Sequence, residues 1–221
     1  DINLGCPFPM IAGKHKGAGM LLYPAQVAEV LAPIAEYPEI QFSLKMRLGW
    51  ENASECMVLV ELLNTLRLSR IALHARTGKQ QYKGHPDLEA FQGFYELCQH
   101  PLYYNGDIES LSDIRQILIR FPLLKGVFIG RGLLSSPLLA KEFKGNETFL
   151  PEQRMSIYFA FHEELFSAYS QVLQGETQLL VKMKTLWEYF LPETDRKLLK
   201  RIKKSTRLQQ YTESVKAIFT S

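Results

Sequence analysis

Short apolar runs alternate with amphipathic segments over the first part of this chain, and that alternation limits the possible folds more than any other feature. Strands are expected at residues 2–4, 41–46, 70–73, 102–104 and 126–129, and helices at 24–36, 54–66, 87–99 and 110–120. Pro24 suits a first helical turn, where its missing N–H costs nothing, and Ser54 and Ser110 suit N-caps. Successive βα units imply a parallel sheet, so the class is α/β. Polar residues stand where the runs end: Asn3 and Cys6, Lys45 and Arg47, His74 and Arg76, Asn105 and Asp107, Gly130 and Arg131. Parallel α/β folds build their sites at that carboxyl edge.

The pattern changes after about Lys144. GNETFLPEQ reads as a loop, and helical periodicity then continues at 151–174, 176–190, 195–203 and 208–219, with breaks at Gly175 and at Leu191-Pro192. The expected organisation is therefore an α/β domain over 1–146 and a small all-helical domain over 147–221, of the four-helix-bundle kind.

Charge enters through its distribution. The chain's net charge of +3 names no partner, but residues 181–221 carry ten basic side chains against four acidic ones. Such a tail suits a polyanion; it also suits a solvated helix face, and both readings stand. No run approaches the roughly 18 apolar residues of a membrane span. Three widely spaced cysteines argue against a disulfide framework and for a reducing compartment, the cytoplasm.

Cys6 sits between Gly5 and Pro7 at a strand exit. A lone cysteine is often a packing residue, but a strand exit favours chemistry, and a thiol that is mostly protonated at neutral pH can donate a proton as well as attack. Cys56 and Cys98 fall inside helical patterns and read as core. GKHKGAG, Gly13 to Gly19, lacks the spacing of a nucleotide P-loop, which leaves a surface loop or a phosphate contact. In LKMRLGW, Lys45 and Arg47 alternate along a strand and so face one side, where two cations call for an anion or an electron-rich ring. HARTGKQQYKG gathers His74, Arg76 and Tyr82 in one segment. YNGDI and FIGRGLL place glycines after the last two strands, where backbone N–H groups can approach a phosphate.

As a set, NLGCP, GKHKGAGML, LKMRLGW, HARTGKQQYKG, YNGDI and IGRGLL resemble the tRNA-dihydrouridine synthases, in that family's order, and the basic helical tail resembles its tRNA-binding domain. The resemblance implies an FMN-containing (β/α)8 TIM barrel that reduces the C5=C6 bond of a tRNA uridine, with NADPH as reductant. It implies Cys6 as the acid that protonates C5, with Asn3 and Arg47 at the uracil edge and Tyr82 at the flipped base. It implies Lys45 and His74 as flavin contacts, and Asn105, Gly106, Asp107, Gly130 and Arg131 in the phosphate-binding turns. It implies tRNA as partner, no metal, no membrane, and a monomer without protein partners.

A closed barrel needs eight βα units and five strands are legible, so the expectation is a partial barrel, truncated at its N-terminus, whose strand at 2–4 has an open edge. A non-redox phosphate-binding barrel, a lyase or isomerase, has no use for the GCP turn, and two further rival readings remain. One is an FMN barrel oxidoreductase of the dihydroorotate dehydrogenase kind, which leaves the basic tail unexplained. The other is a truncated, non-catalytic RNA-binding fragment.

Overall fold

Five strands, β1 (Ile2–Leu4), β2 (Phe42–Gly49), β3 (Leu68–Thr77), β4 (Leu102–Asn105) and β5 (Gly126–Phe128), form one parallel sheet in sequential order. This is a computed structural model describing residues 1–220. Among the described residues β1 pairs only with β2, and β5 only with β4. The connections carry α1 (Pro9–Ala12), a 3₁₀ stretch at Gly17–Leu22, α2 (Pro24–Leu31), α3 (Pro33–Glu36), α4 (Glu55–Thr65), α5 (Leu88–Leu97) and α6 (Leu111–Arg120). α7 (Arg131–Ser135), α8 (Leu139–Gly145), α9 (Pro151–Val172), α10 (Glu176–Leu186), α11 (Arg196–Lys204) and α12 (Leu208–Phe219) follow.

Register decides which residues share a face. Leu4, Met46, Leu73, Tyr104 and Val127 form one row across the sheet. With Leu44, Leu48, Ile71 and Leu102 this side supplies buried core residues. α4 contributes Leu59, Val60 and Leu63, α5 Phe91 and Phe94, and α6 Ile114 and Ile117. Phe91 meets Tyr104 and Phe121 edge-on at 5.1 and 5.0 Å, a geometry worth about 0.5–1.5 kcal/mol per pair beyond its burial. The opposite face is polar: Asn3, Lys45, Ala72 and Tyr103 stand in one row, and Arg47, His74, Asn105 and Phe128 in the next.

The strands run past their expected ends. β2 continues to Gly49 and β3 to Thr77, so Arg47, His74 and Arg76 lie inside strands that run beyond their expected ends at 46 and 73. The ladder is built by backbone N–H and C=O groups and continues wherever one face has polar partners for its side chains. The helix expected at 24–36 is two, because Pro33 has no N–H to continue α2 and instead opens α3. Ser54 precedes α4 but makes no side-chain cap bond. Glu55 instead orders the loop before the helix, its carboxylate accepting from the N–H groups of Trp50, Glu51 and Asn52. α1, the 3₁₀ stretch, α7 and α8 were not legible in the periodicity, being four to seven residues long.

By contact the chain divides into two compact units, residues 1–108 with 112–129, and residues 109–111 with Gly130 onward. The second unit has its own core, in which Tyr158, Met183, Trp187, Phe190, Ile202 and Tyr211 are buried together. Ser136 and Tyr158 hydroxyls lie 2.7 Å apart, and Arg154 pairs with buried Glu142 at 2.5 Å. No helix among the described residues is long and apolar enough to cross a membrane.

Candidate active site

The polar face of the sheet gathers most of the expected residues. Asn3 bends the chain after β1 by accepting the Gly5 N–H at 2.9 Å on its side-chain oxygen, the local bond that makes asparagine a turn former. Arg47, 1% exposed, donates from Nε to the Gly5 carbonyl at 3.0 Å, fixing the same turn from below. Cys6 is half-buried and free. Its carbonyl accepts from the Ala18 N–H at 3.0 Å. Gly17 has φ of +56°, and a Cβ there would come within 2.8 Å of the Cys6 Cβ. The GKHKGAG segment is thus seated on the cysteine turn, with Lys14, His15 and Lys16 exposed. His15 stacks on Tyr23 with ring centroids 4.1 Å apart.

Arg47 reaches a second loop. Its Nη1 donates to the carbonyls of Thr77 and Gln81 at 2.9 and 2.8 Å, and Tyr82 lays its ring over the guanidinium at 5.5 Å. One buried cation therefore ties the cysteine turn to the loop carrying Tyr82. Lys45 lies on the same face, its pKa lowered first by burial and then by the charge of Arg47. His74 is held neutral, its pKa pushed down to about 3 by burial and then by Arg47, Lys45 and Arg76. Its ring centroid is 6.3 Å from that of Tyr82. A half-buried ammonium, a neutral imidazole and an amide side by side suit a planar, polar-edged ligand that gains negative charge.

The turn after β4 is shaped from beneath. Asn105 donates from Nδ2 to the Phe128 carbonyl at 2.9 Å. Any Cβ at Gly106 would overlap the Tyr104 hydroxyl, so only glycine fits. Tyr104 is buried, and its pKa is pushed up to about 12 by burial and then by Asp107. The Asp107 carboxylate faces Arg76, which the sequence motif contains but to which no site role attached. Its signal was its place two residues after His74, on the same side of β3. Gly130 and Arg131 belong to the second unit, where Gly130 caps α7 with open space where a Cβ would stand. No group of three or more His, Cys, Asp and Glu among the described residues is arranged to hold a metal ion.

A second candidate surface lies between α11 and α12. Lys197, Lys200, Arg201 and Lys204 line an open groove of about 410 Å³ with Ser205, Gln210, Glu213 and Ser214.

A parallel sheet with its polar side chains layered on one face, and turns prepared at its carboxyl edge, defines an α/β protein consistent with part of a (β/α)8 barrel. A family model described as Dihydrouridine synthase (Dus) matches residues 1–220, and the chain belongs to that family. Among its relatives, a probable tRNA-dihydrouridine synthase of Rhizobium leguminosarum bv. phaseoli is 32% identical over 138 residues, covering 62% of this chain and 43% of that protein. One of Aquifex aeolicus is 36% identical over 148 residues, covering 65% and 46%. The tRNA-dihydrouridine synthase B of Vibrio vulnificus is 28% identical over 156 residues, covering 69% and 48%. The chain spans about half the length of the curated relatives it matches.

Proposed function

We propose that this chain carries the proton-donating and substrate-positioning part of a tRNA-dihydrouridine synthase, which reduces the C5=C6 bond of a uridine in tRNA. The observation that carries this reading is the junction made by Arg47, which binds the cysteine turn through Gly5 and the Tyr82 loop through Thr77 and Gln81. Family membership and the names of the relatives support it. A tRNA-modifying role also accounts for the cation-lined groove of α11 and α12, which a free-pyrimidine oxidoreductase would not need. The reading extends to work in the cytoplasm, as a monomer.

The residues on the sheet fit FMN. Lys45 would stand by the flavin ring's N1/O2 side, where a cation stabilises the anionic reduced form, and His74 and Asn105 would meet its polar edge. The phosphate would lie on the turn at Asn105–Asp107. The Asp107 carboxylate is committed to Arg76, so that residue would contribute backbone, since a free carboxylate repels a phosphate. When bound, FMN would supply the hydride for C6 of the uracil, with NADPH as its reductant. The Cys6 thiol would give its proton to C5, where the C4 carbonyl draws negative charge as the double bond is reduced. Asn3 and Arg47 would hold the uracil edge. Tyr82, 55% exposed, would meet the face of a base turned out of the tRNA stack.

The test uses the full-length protein with transcribed, unmodified tRNA and NADPH, scoring dihydrouridine by mass spectrometry, with free uridine and orotate as competing substrates. Product in tRNA alone is expected. Reduction of orotate, or a flavin-loaded protein that leaves tRNA unchanged, overturns the assignment.

A further inference from the structure

The loop between β3 and α5 is held in an unusual way. Surface loops normally leave their carbonyls to water, yet here four carbonyls of residues 77–84 point at two buried guanidiniums. Arg47 takes Thr77 and Gln81 at 2.9 and 2.8 Å. Arg76 takes Gly84 at 2.6 Å and, more loosely, Lys83 at 3.4 Å. Two amides are fixed as well, Gly78 and Lys79 donating to the carbonyls of Gly49 and Trp50 at 2.8 and 2.9 Å. Thr77 and Gln80 bond each other reciprocally across the turn. Tyr82 stands between the two grips, exposed while its backbone neighbours are tied down.

Arg76 is itself seated. Its Nη1 and Nη2 form a two-pronged pair with Asp107 at 2.8 and 2.6 Å, and its side chain is 1% exposed against 33% for Asp107. A buried guanidinium is tolerated only where geometry and partners are nearly complete, and the planar fork lets one residue serve two loops at once. The turn after β4 and the loop after β3 are thereby locked to each other.

We propose that Arg76, seated on Asp107, is a positioning residue that presents Tyr82 to the tRNA base, acting through the loop backbone and touching neither base nor flavin. The proposal rests on the functional reading above. Its test is made in the full-length protein with Arg76→Lys, which keeps the charge and loses the fork, and with Asp107→Asn, which keeps the shape and loses the charge. Hydrogen exchange of amides 78–84 should quicken by about tenfold, the weight of roughly one charge-assisted hydrogen bond, while the rest of the sheet is unchanged. Activity on tRNA, as kcat/KM, should fall by about 10-fold to 10²-fold, the range that misplacing a group by an ångström costs. In Arg76→Lys, flavin reduction by NADPH should keep its rate. In a Tyr82→Ala background, Arg76→Lys should add nothing further, because both changes remove one presented ring.

Unchanged exchange in both variants overturns the clamp. Additive losses with Tyr82→Ala, or an equal loss in flavin reduction, overturn the positioning role. Should Arg76→Lys not fold, Asp107→Asn decides the clamp by hydrogen exchange and the positioning role by its coupling with Tyr82→Ala. A wild-type enzyme that makes no dihydrouridine rejects the functional reading instead, and the exchange data still judge the clamp.

Discussion

Two histidines of this chain are buried to nearly the same degree, His74 on the sheet and His162 in α9, at 6% and 1% exposure. Their surroundings are opposite. His162 belongs to a closed chain of hydrogen bonds: Trp187 Nε1 donates to the Tyr211 hydroxyl at 2.9 Å, which lies 2.7 Å from His162 Nε2, while Nδ1 lies 3.0 Å from Glu163. Tryptophan can only donate, so the bonds close if Tyr211 donates to Nε2 and Nδ1–H donates to Glu163. Both ring nitrogens thus have a partner within the protein. His74 instead sits among Lys45, Arg47 and Arg76, cations that destabilise its charged form and outweigh the opposing charge of Asp107. A core histidine is completed by its neighbours; one surrounded by like-acting donors is arranged for something else. Burial alone distinguishes nothing.

Breaking each arrangement should fail in a different currency. On the sheet, Cys6→Ala should cost about 10²–10⁴-fold in dihydrouridine formation, the usual weight of a general acid, with flavin content, flavin reduction by NADPH and thermal stability unchanged. Full turnover on unmodified tRNA would remove Cys6 from the mechanism. In the helical unit, Tyr211→Phe should do the reverse. It strands the Trp187 N–H and His162 Nε2 in an apolar core, at about 1–3 kcal/mol for each group left unpaired. Urea unfolding should register the loss, while chemistry at the sheet continues. Equal stability would show that the network is dispensable.

Acid sharpens the contrast between the histidines. The folded protein holds His74 near pKa 3, against about 6.5 when unfolded. Between those values the unfolded chain takes up a proton that the native one refuses, so stability falls as pH falls, by up to about 1.4 kcal/mol per unit. Above pH 6.5 this residue contributes no slope. His162 acts in the same direction, but Glu163 partly offsets the effect of its burial. His74→Gln should therefore flatten stability between about pH 6 and pH 4 more than His162→Gln does. The opposite order in unfolding midpoints would mean that the cations around His74 are better screened than their placement suggests.

How much of this was legible beforehand follows from the physics of each signal. β1 and α12 were readable to the residue, because apolar period and punctuation agree at Ile2–Leu4 and Leu208–Phe219. The ends of β2 and β3 were not: the alternation of Lys45 and Arg47 was legible, but His74 and Arg76 look like loop residues until the polar face that receives them is known. Asn3, Lys45, Arg47, His74 and Asn105 share a face, which alternation along strands makes inferable one strand at a time. Neither the grip of Arg47 on loop carbonyls nor the pairing of Asp107 with Arg76 was inferable, because both depend on residues about 30 positions apart meeting across neighbouring strands.

The smallest expected effect lies within one helix. α11 buries Ile202 and turns Lys197, Lys200, Arg201 and Lys204 toward the groove. Cations in its last turn, Arg201, Lys203 and Lys204, are what a helix C-terminus favours, so their presence needs no partner. Arg196 and Lys197 open the helix, where the dipole disfavours positive charge by about 0.3–1 kcal/mol, and only Asp195 answers them locally as the N-cap. An external anion along the groove explains cations at both ends; a solvated helix explains only one end. Lys197→Gln and Lys200→Gln should therefore leave the helix as stable or slightly firmer, yet weaken tRNA binding. Each phosphate deprived of its lysine should make the slope of log affinity against log salt shallower by about 0.9 for duplex or 0.7 for single strand. If affinity falls with the slope intact, these lysines meet some part of the tRNA other than its phosphates. If neither changes, the groove of α11 and α12 takes no part in holding tRNA.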